Sequence, residues 1–152
     1  MPYDRIALSM EEFEAFFVNG FSDNSKRKEL FSSYKAYIAA FQYEITPRFV
    51  QWIDGSFLTK KTSPRDLDFV TLLDFGIANE KSELLRSKFL FKASEQFFGL
   101  DAYLVEVFPE SHRNHFITKS DLAYWNSWFS RTSENRAGKS HNKGFVEINF
   151  SK

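Results

Sequence analysis

Asp66 and Asp68 stand two residues apart at the head of the apolar run Leu67-Asp68-Phe69-Val70-Thr71-Leu72-Leu73. On a strand, that spacing sends both carboxylates from one face and turns Leu67 and Phe69 to the other. Two such carboxylates repel each other, and one holds a proton unless a cation lies between them. Oxygen-only donors, with waters and substrate phosphates completing an octahedral shell, suit Mg2+. The pair therefore reads as a platform for a divalent metal. Upstream, Gly55-Ser56 ends a short apolar run that starts at Phe49. Glycine lets a backbone approach a phosphate closely, and the N–H groups and Ser56 hydroxyl can donate to its oxygens. Lys60, Lys61 and Arg65 lie in the connecting segment, placed to meet the remaining phosphate charge. A Gly-Ser cradle beside two carboxylates is a phosphoryl-transfer arrangement, which works by positioning and charge neutralisation.

Other residues carry weaker signals. His112 and His115 have a spacing that metal ligands on a helix can have, but they follow Pro109 in a polar stretch and read as exposed. Lys143 either reaches a triphosphate or sits as a solvated loop lysine. Asp54 reads as a cap on its own turn, and Trp125 and Trp128 as core or interface residues of a short helix. Neither a Ser/His/Asp arrangement nor a Walker A sequence is present.

The elements that must position these residues follow from periodicity. Ser9 and Glu12 form a capping box ahead of Phe13, Phe16 and Phe17. After the capping cluster 23–25, Leu30, Phe31, Tyr34, Ile38 and Phe41 predict an amphipathic helix that Pro47 must not extend. Strands are expected over 49–53, 67–73, 102–108 and 145–150, with a helix over 81–97 closed by Gly99. A short helix capped by Ser120 completes the pattern, followed by a polar loop over 131–144. The order predicts an α/β (α+β) fold. It is a small mixed sheet of about four strands with helices packed on it, in one domain: N-terminal helices over 1–46 and a core over 47–152.

Gly55-Ser56, the gap, and Asp66-Leu67-Asp68 with apolar flanks resemble the signature of the nucleotidyltransferase superfamily with the DNA polymerase beta-like fold. Within it the chain is similar to small bacterial nucleotidyltransferase-like proteins of unknown role, and to the minimal nucleotidyltransferases that serve as antitoxins in toxin-antitoxin pairs. The resemblance extends to the helices before Trp52 and to the segment 143–148. It implies Mg2+-dependent transfer of a nucleoside monophosphate from an NTP, such as ATP, to an acceptor hydroxyl. Two metal ions, Mg2+ or Mn2+, are implied at Asp66 and Asp68, with nucleotide contacts from Gly55, Ser56, Lys60, Lys61, Arg65 and Lys143. A third carboxylate from a later strand is also implied. Asp101, at the entry to the strand over 102–108, is the first choice and Glu106 the second.

Composition bounds these expectations. The 152 residues make one domain able to bury a core, and the lack of Cys removes thiolate sites and disulfides and suits a reducing cytoplasm. Twenty Lys+Arg balance 20 Asp+Glu, which speaks against a binder of long duplex nucleic acid but not against one triphosphate. No apolar run is long enough to span a bilayer, and no secretory signal is visible. The expected partners are an NTP and an acceptor, either a protein or an RNA end. Nineteen Phe leave a second function class in view: a catalytically inactive nucleotidyltransferase-fold module that sequesters a protein partner.

Overall fold

The computed structural model describes residues 5–22, 24–59, 64, 66–130 and 144–150. A short strand β1 (Arg5–Ala7) leads into helix α1 (Met10–Phe17). The Ser9 hydroxyl accepts from Glu12 N–H at 3.1 Å while the Glu12 carboxylate accepts from Ser9 N–H at 3.0 Å, the reciprocal box that the spacing predicts. Helix α2 (Ser25–Glu44) follows and buries Leu30, Phe31, Tyr34, Tyr37, Ile38 and Phe41. Then come β2 (Val50–Asp54), a 3-10 turn over Ser56–Leu58, and β3 (Asp68–Asp74). Helices α3 (Phe75–Glu80), α4 (Ser82–Leu84) and α5 (Phe91–Phe98) lead to β4 (Asp101–Val107), α6 (His115–Phe129) and β5 (Phe145–Asn149).

The fold is a mixed α/β sheet with helices packed on it, and it has five strands among the described residues, in the order β1-β5-β2-β3-β4. β2 runs antiparallel to both β3 and β5, while β3–β4 and β1–β5 are parallel. Alternation along the strands gives the sheet two unlike faces. Phe69 and Thr71 look toward α2, where the Phe69 ring meets Tyr34 and Tyr37 edge-on at 5.4 and 4.8 Å. Gln51, opposite Thr71, accepts from the Tyr34 hydroxyl at 2.5 Å and donates to Thr71 at 2.9 Å, so the buried polar groups on this face are paired. Trp52, Val70 and Tyr103 share the other face, where Trp125 of α6 packs on Tyr103 at 4.9 Å.

Three local expectations are corrected. The segment over 1–46 is not purely helical, because Arg5–Ala7 adds a strand beside Phe145–Glu147; three residues carry too little periodicity to announce it. The helix expected over 81–97 is broken. Leu85–Phe89 forms a π-helical turn, Leu90 is extended, and Phe91, the first residue of α5, takes φ +57°. Ser120 lies inside α6, which starts at His115, so it caps nothing. Gly99, by contrast, closes α5 in the left-handed conformation at φ +70°.

Candidate functional site

β2 is antiparallel to β3, and β3 is parallel to β4. The C-terminal end of β2 therefore meets the beginnings of the other two strands. Asp54 pairs with Asp68, and Asp68 with Asp101, which puts one acidic row across three strands and on the face that α6 covers. Asp66 lies just ahead of β3, beyond the strand expected over 67–73.

Gly55 turns the chain out of β2 at φ +100°, the left-handed region that favours glycine. A Cβ there would stand 3.1 Å from both Asp66 O and Asp68 N, so the turn rests directly against the backbone of the second motif. Ser56 N–H donates to Asp66 Oδ1 at 2.8 Å, the Ser56 hydroxyl donates to the same oxygen, and Asp66 N–H donates back to Ser56 Oγ at 3.2 Å. The donors assigned to phosphate by the sequence thus hold the Asp66 carboxylate here. The turn is braced from behind by Arg27 of α2, whose side chain is buried. One guanidinium nitrogen donates to the carbonyls of Phe17 at 2.8 Å and Phe57 at 2.5 Å, the other to Thr59 at 2.8 Å, and the plane lies 3.6 Å over the Phe21 ring. Burial lowers the pKa of this guanidinium from its ordinary value.

Asp54 is buried, Asp68 is half-buried with its Oδ1 enclosed, and Asp66 and Asp101 are exposed. Burial, then the negative charges of Glu95 and Asp66, raise the Asp101 carboxyl above its usual range. Burial followed by Asp101, Asp68 and Tyr124 raises the phenol of Tyr103. This accumulation of like charge, with oxygen as the donor throughout, fits a hard divalent cation, which would relieve the repulsion. As the side chains stand, no three His, Asp or Glu residues among the described ones are grouped closely enough to hold an ion.

Of the two choices for a third carboxylate, Asp101 is beside Asp68, whereas Glu106 pairs with Leu73 at the far end of the strand and is exposed on the opposite side. Lys60, Lys61, Arg65 and Lys143 lie outside the described residues. His112 and His115 are half-buried rather than exposed. His112 Nδ1 accepts from Asn114 N–H at 2.9 Å, and His115 Nδ1 lies 2.9 Å from the carbonyl of Phe108.

Between the acidic row and α6 lies a cleft of about 310 Å³. Asp68 and Asp101 form one end, and Tyr103, Tyr124, Trp125, Trp128 and Phe129 wall the rest. Sequence reasoning missed Asp54 as part of the row and missed Tyr103 and Tyr124 altogether. For Tyr103 a signal existed, because it stands two residues after Asp101 on the same strand and so shares its face. Among the described residues, no helix is long and apolar enough to cross a membrane.

No curated protein and no solved structure matches this chain. One family model does match, over residues 1–149, and the chain therefore belongs to DUF6932, a family of unknown function.

Proposed function

We propose that the protein is a nucleotidyltransferase that moves a nucleoside monophosphate from an NTP to an acceptor hydroxyl on a protein or an RNA end, in the cytoplasm. The observation that carries this reading is the contact between the Gly55-Ser56 turn and Asp66, beside the register pair Asp68–Asp101. Asp66 and Asp68, completed by Asp101, would hold Mg2+ ions, which when bound neutralise phosphate charge and activate the acceptor oxygen. Ser56 N–H and hydroxyl, released from the Asp66 carboxylate, would donate to the β- and γ-phosphate oxygens. Gly55, at φ +100°, shapes the turn that would present these donors. The acceptor oxygen attacks the α-phosphorus in line, the bond to the bridging oxygen of the β-phosphate breaks, and pyrophosphate leaves. The acceptor's proton passes to a carboxylate of the row, for which Asp101, beside Asp68, is the candidate.

The test incubates folded protein with labelled NTPs, Mg2+ or Mn2+ and a pool of protein and RNA acceptors. Transfer is expected from the wild type and is expected to fall by at least about 10²-fold when Asp66 and Asp68 are both replaced by Asn. If the folded protein shows neither transfer nor metal-dependent NTP binding, the reading fails. A second reading, a nucleotidyltransferase-fold module that sequesters a protein partner, is favoured by the exposed rings of Phe97 and Phe116. Partner binding that survives the double Asn replacement would favour it.

A further inference from the structure

The cleft beside the acidic row has a chemistry of its own. Its walls are aromatic and come from two elements: Tyr103 from β4, and Tyr124, Trp125, Trp128 and Phe129 from α6. Trp125 is fixed between Tyr103 at 4.9 Å and Phe129 at 5.4 Å, and Phe129 is itself packed on Phe145 of β5 at 5.8 Å. The inner wall is thus anchored to the sheet, while Trp128 and Tyr124 remain 63% and 59% exposed at the mouth. Phe91 adds a second observation. A bulky residue with φ +57° is a backbone outlier, and such conformations persist only where the surroundings hold them. Its ring lies against Tyr103, at 5.9 Å and nearly perpendicular, which buttresses the wall from outside the cleft.

Flat rings around about 310 Å³ take a flat ligand, and this volume is at the lower bound of small-molecule pockets. A cation caged by aromatic rings would want carboxylates distributed among them. Here the carboxylates sit together at one end, next to Gly55-Ser56. Resting on the nucleotidyltransferase reading, we propose that this cleft is the nucleobase subsite. The base would stack against Trp125 and Trp128, and the sugar would lead toward Asp68 and Asp101. Stacking is largely indifferent to base identity, so purines should bind better than pyrimidines, by area.

Nucleosides, which carry neither phosphate nor a need for metal, test the cleft separately from catalysis. The chain's three tryptophans give three indole N–H resonances. Trp52, 3% exposed and donating to Glu147 at 2.9 Å, is the internal control. Adenosine should shift the Trp125 and Trp128 signals saturably and leave Trp52 in place. Trp128→Ala and Tyr124→Ala should each weaken adenosine binding roughly 5- to 100-fold, with the Trp52 signal reporting an intact fold. The proposal is overturned if no nucleoside moves the two signals, or if tetramethylammonium moves them and adenosine does not. It is also overturned if both variants bind adenosine as the wild type does. Adenosine binding without nucleotidyl transfer would sink the enzymatic reading and leave this subsite standing; transfer without adenosine binding would do the reverse.

Discussion

The two faces of the sheet solve opposite problems. On the α2 face, rings from α1, α2, α5 and the sheet close over one another, and the polar groups that enter bring partners. Tyr34, Gln51 and Thr71 form a chain, Tyr37 donates to the Phe89 carbonyl at 2.8 Å, and Arg27 holds three carbonyls. On the α6 face, acids of one sign line up across three strands beside a cleft, and two large aromatic side chains stay in solvent. Stability is concentrated on the first face and unspent chemical potential on the second. The abundance of Phe divides accordingly: ten of 19 are buried and four are exposed, so most serve the core.

This contrast has measurable consequences. The largest is expected from Phe69→Ala, which opens a cavity beneath Tyr34 and Tyr37 and should cost about 3–5 kcal/mol in urea denaturation. Trp128→Ala, on the opposite face, should change stability by less than about 0.5 kcal/mol. Equal costs for the two would break the comparison. Gly55→Ala comes next, at about 1–3 kcal/mol, because alanine must adopt φ +100° and its Cβ meets the backbone of Asp66 and Asp68. Its effect on the proposed nucleotide transfer should exceed that on stability, because it displaces the turn that carries Ser56.

The smallest effect belongs to Asp101. Its carboxyl is raised above 3.8 in the folded state, so the folded protein binds more protons than the unfolded chain between that value and the raised one. Stability must therefore fall as pH rises through this window, and the penalty is fully present above it. Asp101→Asn should remove that slope and stabilise the neutral-pH protein by about a few tenths of a kcal/mol, the site being solvent-screened. Thermal unfolding against pH measures it. If Mg2+ binds at the acidic row, it should stabilise the wild type more than this variant.

Local rules carried the sequence reading far where one short stretch decides the outcome. The Ser9–Glu12 box, the apolar stripe of α2, the Gly99 cap and the turn at Gly55 all rest on side chains a few residues apart. The hidden features rest on distant partners. β1 exists because residues 145–147 lie alongside it. The break at Leu90 has neither Pro nor Gly to announce it, and the Phe91 ring lies on Tyr103, which belongs to another element. At the site, the Gly-Ser and Asp-x-Asp pattern was legible as a motif and the structure joins its halves by hydrogen bonds. The aromatic walls were not legible, because Tyr103 and Tyr124 become neighbours of the acids only once α6 has packed on the sheet.

The sheet order also governs how the chain can be assembled. β5, made from residues 145–149, is inserted between β1 and β2. While a ribosome is still extending the chain, β1 has no strand beside it and one side of β2 stays open. The sheet is then completed from its interior by a strand that is made after the other four. Such long-range pairing slows folding, and unpaired strand edges invite addition of foreign strands. A nascent chain is therefore exposed to mispairing until β5 emerges, and that strand fills both openings at once.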